Sequence, residues 1–355
     1  MARIQIGGAG GAPANNFIRA LRESSRKDYL IGTSSVASDL FLADTEERYV
    51  VPPAKHDRYR EVLLGLLRRG KPDFLYVSHD YEVLAVSRLR EEILSLGVKL
   101  FLPNPETVEA TVDKYRSYEI WREGGLPVPE TILINTAHDL DDAFEKFGPR
   151  VWLRATTGGG GRGALPTDSR EMARQWVERL EGWGSFTAAR CLTSRSVTWQ
   201  SIWHEGELIV AQGRRRHAWS FADRTVSGVT GITRVAETCS DAEVDRVAEA
   251  AIRSVDPRPH GIFGVDLTYD EEGRPNPTEI NIGRFFTTIL FFARAGLNLP
   301  EIYCDLGLEG KRPKLERRVN PLPEGLVWIR GMDVEPVLTT AQQTKELARQ
   351  VTWAR

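Results

Sequence analysis

A run of glycines near the middle of the chain is the first feature that suggests chemistry. Five glycines fall within six residues, interrupted by one arginine: Gly158, Gly159, Gly160, Gly161, Arg162 and Gly163. Glycine is poorly suited to the interior of a helix or strand, so the run predicts a loop with exposed backbone N–H groups. Such a loop suits phosphate oxygens, and Arg154 and Arg162 would add positive charge. A flexible surface linker is the alternative interpretation.

Two acidic residues and an asparagine form a second candidate site. Glu279 and Asn281 are two residues apart on one predicted strand, so both side chains emerge on the same face. Asp266 lies on the preceding predicted strand, and a hairpin between the two strands would bring all three side chains together. Oxygen ligands of this kind suit Mg²⁺, which binds through a few carboxylates and substrate phosphates. A solvated polar face of a sheet is the competing interpretation.

Two further groups of polar residues are weaker candidates for substrate contacts. Arg214 and Arg216 belong to a basic run, residues 214–217, at the end of a predicted strand. The run indicates either a solvated strand end or an anion site. His79 and Asp80 follow a predicted parallel strand, and open α/β sheets bind ligands at the carboxyl ends of their strands.

The first hundred residues alternate between strand-like and helix-like patterns. Apolar residues at helical spacing predict helices at residues 15–23, 59–69 and 81–96. Short apolar runs predict strands at residues 3–6, 29–32, 48–51, 73–77 and 98–102. Strands that alternate with helices pair in parallel through right-handed crossovers, so this part of the chain is predicted to be an open α/β sheet.

Beyond residue 112 the sequence becomes richer in strands, which predicts an α+β body. Further helices are predicted at residues 114–123, 140–147, 169–180 and 242–255. Strands are predicted at residues 131–134, 151–155, 186–190, 197–203, 207–214, 262–269, 278–282 and 325–330. We expect three domains, at residues 1–112, 113–188 and 189–355.

Composition excludes several classes of protein. The 355 residues include 47 Lys and Arg and 49 Asp and Glu, and a formal charge of −2 lacks the basic excess of a nucleic-acid binder. The three cysteines lie far apart, so neither a zinc site nor a disulfide framework is expected. The most apolar stretch, residues 285–297, is too short to cross a bilayer. The N-terminus lacks the pattern of a signal peptide, and we expect a cytoplasmic location.

Taken in order along the chain, these segments resemble the ATP-grasp superfamily. The resemblance is strongest to the ATP-binding halves of the large subunit of carbamoyl-phosphate synthetase and to its stand-alone relatives. It rests on Asp113-Lys114 before a Gly-Leu-Pro-Val-Pro turn, on Val-Trp-Leu-Arg before the glycine run, and on Glu279-Ile280-Asn281 with Asp266 one strand earlier. Residues 1–112, with Asp80-Tyr81-Glu82 after the fourth strand, resemble the Rossmann-like domain that precedes the two-lobed ATP-binding body.

The resemblance implies a role for each matching position. Lys114 and Arg154 would contact the α- and β-phosphates of ATP, and the glycine loop with Arg162 would close over the β- and γ-phosphates. The adenine edge would pair with the backbone of Ala189, Arg190, Cys191 and Leu192. One or two Mg²⁺ ions would bind Asp266, Glu279 and Asn281. The catalytic residues would be Arg162 and Arg284. Apart from the resemblance, the weaker signals assign substrate contacts to His79, Asp80, Glu82, Arg214 and Arg216.

Two positions depart from the family pattern. The family usually places a carboxylate for the ribose hydroxyls just after the adenine segment, but residues 194–200 contain no acid. Arg284 follows Asn281 by three residues instead of two, because Gly283 is inserted before it.

The implied activity is an ATP- and Mg²⁺-dependent ligation of a carboxylate to an amine through an acyl phosphate, with release of ADP and phosphate. A bicarbonate-activating carboxylase or carbamoyl-phosphate-type enzyme is one alternative, and a non-catalytic nucleotide-binding sensor is another. The expected partners are a small-molecule acid and an amine. No nucleic-acid or membrane partner is expected, and the pattern is compatible with a homodimer.

Overall fold

The computed structural model describes residues 1–161, 163–331 and 346. Arg162 and the remaining residues after 331 lie outside this part. The described residues form three β-sheets, one parallel and two antiparallel, flanked by helices. No helix in these ranges combines the length and apolar character needed to cross a membrane.

A parallel four-stranded sheet occupies the N-terminal third. Its strands are β1 (Arg3–Gly7), β2 (Tyr29–Ser34), β3 (Glu47–Val50) and β4 (Phe74–Tyr76), in the spatial order β3-β2-β1-β4. The helices here are α1 (Ala12–Arg22), α2 (Tyr59–Gly70), α3 (Asp80–Arg88) and α4 (Arg90–Ser95), with a 3₁₀ turn at Asp39–Leu42. The predicted α/β alternation is therefore confirmed.

Two details of this region differ from the prediction. The expected strand at residues 98–102 is reduced to a single bridge between Lys99 and Phe74, because Pro103 follows at once and has no N–H to continue a ladder. The single helix expected over residues 81–96 is divided at Leu89, whose ψ of 9° departs from helical geometry.

An antiparallel four-stranded sheet follows, in the order β5-β8-β6-β7. Its strands are β5 (Thr131–Ile134), β6 (Val151–Ala155), β7 (Leu165–Thr167) and β8 (Phe186–Arg190). The helices of this region are α5 (Pro105–Val112), α6 (Lys114–Glu123), α7 (Ala137–Phe147) and α8 (Arg170–Arg179). Phe144, Phe147 and Val177 pack from α7 and α8 onto the sheet, where they bury Leu153 and Phe186 in a separate small core.

The largest sheet has six antiparallel strands in the order β13-β12-β9-β10-β11-β14. They are β9 (Ser196–His204), β10 (Glu207–Trp219), β11 (Thr233–Cys239), β12 (Gly261–Tyr269), β13 (Pro275–Ile282) and β14 (Val327–Ile329). Helices α9 (Ala242–Val255), α10 (Ile289–Arg294) and α11 (Leu299–Glu309) accompany them, with a 3₁₀ turn at Ala222–Arg224. Strand β10 runs five residues beyond its predicted end because it pairs there with β11, which the sequence did not reveal.

Helices α10 and α11 return to the N-terminal sheet and complete its core. The ring of Phe17 on α1 stacks on Tyr76 with centroids 3.9 Å apart, and both rings contact Phe285 and Tyr303. All four side chains are fully buried. Residues from both ends of the chain therefore share one hydrophobic core, while the domain boundaries at residues 112 and 188 remain a prediction.

Candidate active site

A cleft of about 730 Å³ is lined by residues from both antiparallel sheets. It brings together many of the positions singled out in the sequence: Lys114, Arg154, Gly158, Gly159, Gly160, Gly161, Ala189, Arg190, Cys191, Leu192, Arg216, Asp266 and Glu279. These residues are separated by up to 165 positions in the chain, so the fold assembles a site that local sequence could only suggest. The predicted roles of the individual residues remain proposals.

The hairpin of β12 and β13 places the two predicted acidic residues side by side. Asp266 and Glu279 are direct cross-strand partners, so their side chains emerge on the same face. The amide Nδ2 of Asn281 donates a hydrogen bond to Asp266 Oδ2 at 3.1 Å. The other oxygen, Oδ1, accepts hydrogen bonds from Thr198 Oγ1 at 2.5 Å and Arg216 Nη2 at 3.3 Å. The predicted three-residue cluster is thus present as a connected group.

The surroundings shift the pKa values of the two carboxyl groups in opposite directions. Burial alone would raise the pKa of Asp266, but Arg216, Thr198 and Arg214 together lower it below its ordinary value. Burial raises the pKa of Glu279, and the nearby negative charge of Asp266 adds to this despite the opposing effect of Lys114. Two carboxyl groups this close favour either a shared proton or a bound cation.

The donor chemistry fits Mg²⁺. Asp266, Glu279 and the amide oxygen of Asn281 are all hard oxygen ligands. Within the described residues no group of three or more His, Cys, Asp and Glu side chains has metal-binding geometry, so a cation here would depend on two carboxylates and one amide. The Oδ1 atom of Asn281 accepts a hydrogen bond from Arg284, and its second lone pair would be available to a cation.

Positive side chains face these carboxylates from helix α6 and from the smaller antiparallel sheet. Asp113 caps α6 by accepting from Tyr115 N at 2.8 Å, which fixes Lys114 at the first helical position. The ammonium of Lys114 donates to Gly158 O and lies 3.6 Å from Glu279 Oε2. Arg154, on β6, donates to Thr278 O at 2.9 Å. Burial lowers the pKa of Arg154, partly offset by the attraction of Glu279.

The glycine loop lies directly against a second glycine-containing loop, residues 227–231. A Cβ atom on Gly161 would lie 2.5 Å from Val229 O, and one on Gly231 would lie 2.7 Å from Gly160 Cα. Both distances are far shorter than a normal van der Waals contact, so only glycine permits this approach. The loop therefore has a packing role that a flexible linker would not need. Arg162, predicted as catalytic and ATP-binding, lies outside the described residues.

We expect Gly161→Ala to open the contact between the two loops and weaken nucleotide binding. Gly161 has φ of +71° and lacks room for a methyl group, so alanine adds both backbone strain and a clash. The strain alone corresponds to about a tenfold change in an equilibrium constant. The matched control is Gly310→Ala at the end of α11, outside the cleft, which has a similar φ of +66° but nothing within 4 Å of the added Cβ. Equal nucleotide affinity in the two variants, measured by calorimetry, would contradict a role for the loop contact.

Arg284 is paired with Asp80, a residue that the sequence assigned to a different role. The guanidinium donates to both Asp80 carboxylate oxygens, with Nη2 to Oδ2 at 3.2 Å. Burial would raise the pKa of Asp80, but Arg284 lowers it. Gly283, with φ of +66°, makes the turn that carries Arg284 from β13 toward the start of α3. A Cβ on Gly159 would lie 3.2 Å from Asp80 Oδ2, so this ion pair also borders the glycine loop.

The remaining predicted residues do not line the cleft. Arg214 is 2% exposed and donates to Thr288 Oγ1 at 2.6 Å and Thr198 Oγ1 at 2.8 Å. Burial, together with the neighbouring Arg216, lowers the pKa of Arg214 to about 9. His79 caps α3 through a hydrogen bond accepted from the backbone of the second following residue. Glu82 is buried and accepts from Tyr59 Oη at 2.9 Å.

The buried Glu82 carboxyl predicts a pH-dependent stability. Burial raises the pKa of Glu82 to about 7 from 4.5, although the hydrogen bond from Tyr59 opposes this. The folded protein then retains a proton that the unfolded chain releases, so the free energy of unfolding falls as pH rises from about 4.5 to 7. The fall is on the order of 3 kcal/mol.

Urea unfolding at pH 5 and pH 8 measures this effect. We expect Glu82→Gln to lose this contribution to the difference between the two pH values, since glutamine carries no titrating proton. The opposing contribution of His260, whose pKa burial lowers to about 4, is present in both proteins and cancels in the comparison. Glu91→Gln, at an exposed position on α4, is the control and should keep the contribution of Glu82. The assignment is wrong if Glu82→Gln retains the full pH dependence.

Sequence reasoning missed several residues that shape the site. Thr198 connects Asp266 with both Arg214 and Arg216 through its hydroxyl, yet a threonine on a strand carries no distinctive signal. Trp152 and Trp219 line the cleft as well. The loop at residues 227–231 could have been found from its two glycines.

Comparison with known proteins shows the fold. No family model matches the chain. A biotin carboxylase from Campylobacter jejuni superposes with a TM-score of 0.68 at 15% identity, covering 88% of this chain and 72% of that one. An L-amino acid ligase from Bacillus licheniformis superposes with a TM-score of 0.66 at 12% identity, covering 87% of this chain and 74% of that one. A carboxyaminoimidazole ribonucleotide synthase from Aspergillus clavatus, complexed with ATP, superposes with a TM-score of 0.68 at 14% identity. The match covers 90% of this chain and 79% of that one. The chain adopts the ATP-grasp fold.

Comparison by sequence finds relatives at low identity. The chain is 24% identical over 311 residues to a putative urea carboxylase from Emericella nidulans, covering 82% of this chain and 24% of the relative. It is 23% identical over 336 residues to the mitochondrial arginine-specific carbamoyl phosphate synthase large chain from Neurospora crassa. That match covers 89% of this chain and 27% of the relative. The chain thus spans about a quarter of the length of these relatives. The predicted resemblance to the large chain of carbamoyl-phosphate synthetase is confirmed.

Proposed function

We propose that the protein is an ATP- and Mg²⁺-dependent ligase that joins a carboxylate to an amine and releases ADP and phosphate. The observation that carries this proposal is the cleft itself, in which Lys114, Arg154 and the glycine loop face the Asp266–Glu279 pair. Cations and backbone N–H groups on one side, with metal-type ligands on the other, suit a nucleoside triphosphate. The ATP-grasp fold supports the same proposal.

ATP would lie along the cleft with its base beside Ala189, Arg190, Cys191 and Leu192. Lys114 and Arg154 would hold the α- and β-phosphates, and the glycine loop would cover the terminal phosphates. Asp266, Glu279 and Asn281 would hold one or two Mg²⁺ ions. Bound Mg²⁺ neutralises negative charge on the phosphates, which is the main catalytic requirement of phosphoryl transfer.

The proposed reaction needs no nucleophile from the protein. An oxygen of the substrate carboxylate attacks the γ-phosphorus, the bond to the bridging β–γ oxygen breaks, and ADP leaves. The amine nitrogen then attacks the acyl carbon, loses a proton, and the C–O bond to phosphate breaks. Arg284, oriented by Asp80 and adjacent to Asn281, would stabilise the charge on the transferring group. The chain's contribution is positioning and electrostatic complementarity.

A second candidate is a carboxylase in which bicarbonate is the acid. It is favoured by the names of the relatives, among them a putative urea carboxylase and, at 30% identity over 159 residues, one of the subunits of pyruvate carboxylase from Methanothermobacter thermautotrophicus. The second of these matches covers 43% of this chain and 32% of the relative. The first chemical step would be the same, because bicarbonate also presents a carboxylate oxygen to the γ-phosphate.

A screen of acids and amines distinguishes the two candidates. Purified protein is incubated with ATP and Mg²⁺ and with each acid alone, each amine alone and each pair, and ADP is measured. Release that requires an organic acid and an amine supports the ligase, whereas release that requires bicarbonate supports the carboxylase. Release of AMP and pyrophosphate would contradict both. The three predicted domains, a homodimeric assembly and a cytoplasmic location belong to the same proposal.

A further inference from the structure

A smaller pocket of about 190 Å³ adjoins the cleft at the point where β9 begins. Its polar lining comes from Ser194, Arg195, Ser196, Arg215, Arg216 and His217. Four of these residues, Ser194, Ser196, Arg216 and His217, also line the main cleft. The two spaces therefore share a wall, and a ligand in the cleft could extend a group into this pocket.

The pocket is strongly cationic. Three arginines and a histidine line it, and no carboxylate from the described part of the chain does. Glu237 lies nearby, where it pairs with His217 at 2.6 Å and with Arg215 at 3.7 Å. Among the described residues Arg195 has no carboxylate partner, and its guanidinium lies over the Tyr269 ring at 4.4 Å. Asp266 pairs with Arg216 at 3.3 Å, so the three arginines face two carboxylates. Positive charge still exceeds negative charge around this space.

At least one of these cations is held in place before any ligand binds. The side chain of Arg216 is 9% exposed and donates to Ser196 Oγ at 3.0 Å and Thr198 Oγ1 at 3.1 Å. Its guanidinium also lies 3.8 Å from the centre of the Trp219 ring. A cation fixed in this way loses little side-chain entropy when an anion binds. Hydroxyl donors from Ser194 and Ser196 complete a surface suited to phosphate oxygens.

We infer that this side pocket is a subsite for a phosphate-class dianion. The inference rests on the proposed nucleotide cleft, because the pocket follows directly on residues 189–192, which would hold the base. A ribose in the cleft would present its hydroxyl edge to Ser194 and Ser196, beside Arg195 and Arg215. Residues 194–200 contain no acid, and the nearby carboxylates of Glu237 and Asp266 are each paired with cations of this wall. A phosphate on the sugar would therefore meet net attraction there. The dianion is either such a sugar phosphate or a free phosphate bound beside the nucleotide.

Two nucleotides that differ by one phosphate test the inference. Adenosine 2′,5′-bisphosphate and AMP are titrated into wild-type protein and into the double variant Arg195→Gln/Arg215→Gln, and inorganic phosphate is titrated separately. We expect the bisphosphate to bind wild type about tenfold more tightly than AMP, and the double variant to lose this preference. Arg274→Gln, at an exposed arginine on the β12–β13 turn, is the control and should keep it. Thermal unfolding of each variant verifies that it is folded.

The outcomes separate the two sources of phosphate and the two proposals. A preference for the bisphosphate that disappears in the double variant supports a sugar phosphate. No such preference, but binding of inorganic phosphate that only the double variant loses, supports a free anion. If the double variant matches wild type for all three ligands, the inference is overturned. Phosphate binding that persists in a protein with no ATP-dependent activity would refute the proposed function and leave the subsite standing.

Discussion

Replacing Glu279 with glutamine will reduce ATP-dependent turnover at least about 100-fold while leaving the fold intact. Glu279 is the cross-strand partner of Asp266 and lies 3.6 Å from the Lys114 ammonium. Glutamine keeps the shape of the side chain but removes its negative charge, so it weakens both the metal site and the attraction to Lys114. Turnover is followed as ADP release with the acid and amine identified by the screen.

The matched control for this substitution is Glu272→Gln on the same hairpin. Glu272 pairs with Arg274 at the turn and lies outside the cleft, so its loss should change turnover less than about twofold. Raising the Mg²⁺ concentration should partly restore activity to Glu279→Gln if the defect lies in metal affinity. Wild-type turnover in Glu279→Gln would remove the metal-site assignment.

Replacing Arg284 with lysine will lower kcat and kcat/KM together by about 100-fold. Lysine keeps the positive charge but cannot form the two parallel hydrogen bonds that the guanidinium makes with Asp80. The cation would no longer be held at one place beside Asn281. Because the proposed interaction is with the transferring group, the loss should appear in kcat and not mainly in KM.

Two further variants show whether the loss of kcat in Arg284→Lys comes from the position of the cation or from its charge. Asp80→Asn leaves Arg284 charged but weakens its anchor, so it should reproduce part of the loss in kcat. Arg294→Lys, the same substitution at an exposed arginine paired with Glu23 at the end of α1, should have no effect on turnover. If Arg284→Lys raises KM alone, Arg284 binds substrate without acting on the reaction.

Much of the fold follows from local sequence patterns. Alternation of apolar residues and clear stop signals predicted β5, β6, β8, α6 and α9 with the bounds that the structure gives. Helices α10 and α11 were not predicted, because their apolar residues surround the helices and leave no clear face; ten of their side chains are buried. Gly296, with φ of +103°, separates the two helices, and only the tertiary structure reveals this turn.

The candidate site was predictable where its signals are local. The spacing of Glu279 and Asn281 and the glycine run are visible within a few residues. Glu279 and Gly158 to Gly161 line the cleft, and Asn281 is hydrogen-bonded to Asp266 beside it. The pairing of Arg284 with Asp80 joins residues 204 positions apart, so no local pattern could show it. The burial of Arg214 was equally hidden, since a basic run normally indicates a surface. Its guanidinium is accommodated by three threonine hydroxyls contributed by distant parts of the chain.

The central claim is that a substrate carboxylate attacks the γ-phosphate of ATP. The most direct measurement uses an acid substrate labelled with ¹⁸O in its carboxylate and follows the mass of the released phosphate. An acyl phosphate intermediate predicts that each turnover transfers one ¹⁸O atom to inorganic phosphate and releases ADP. Transfer of the label to AMP, or release of phosphate without any label, would contradict the proposed reaction.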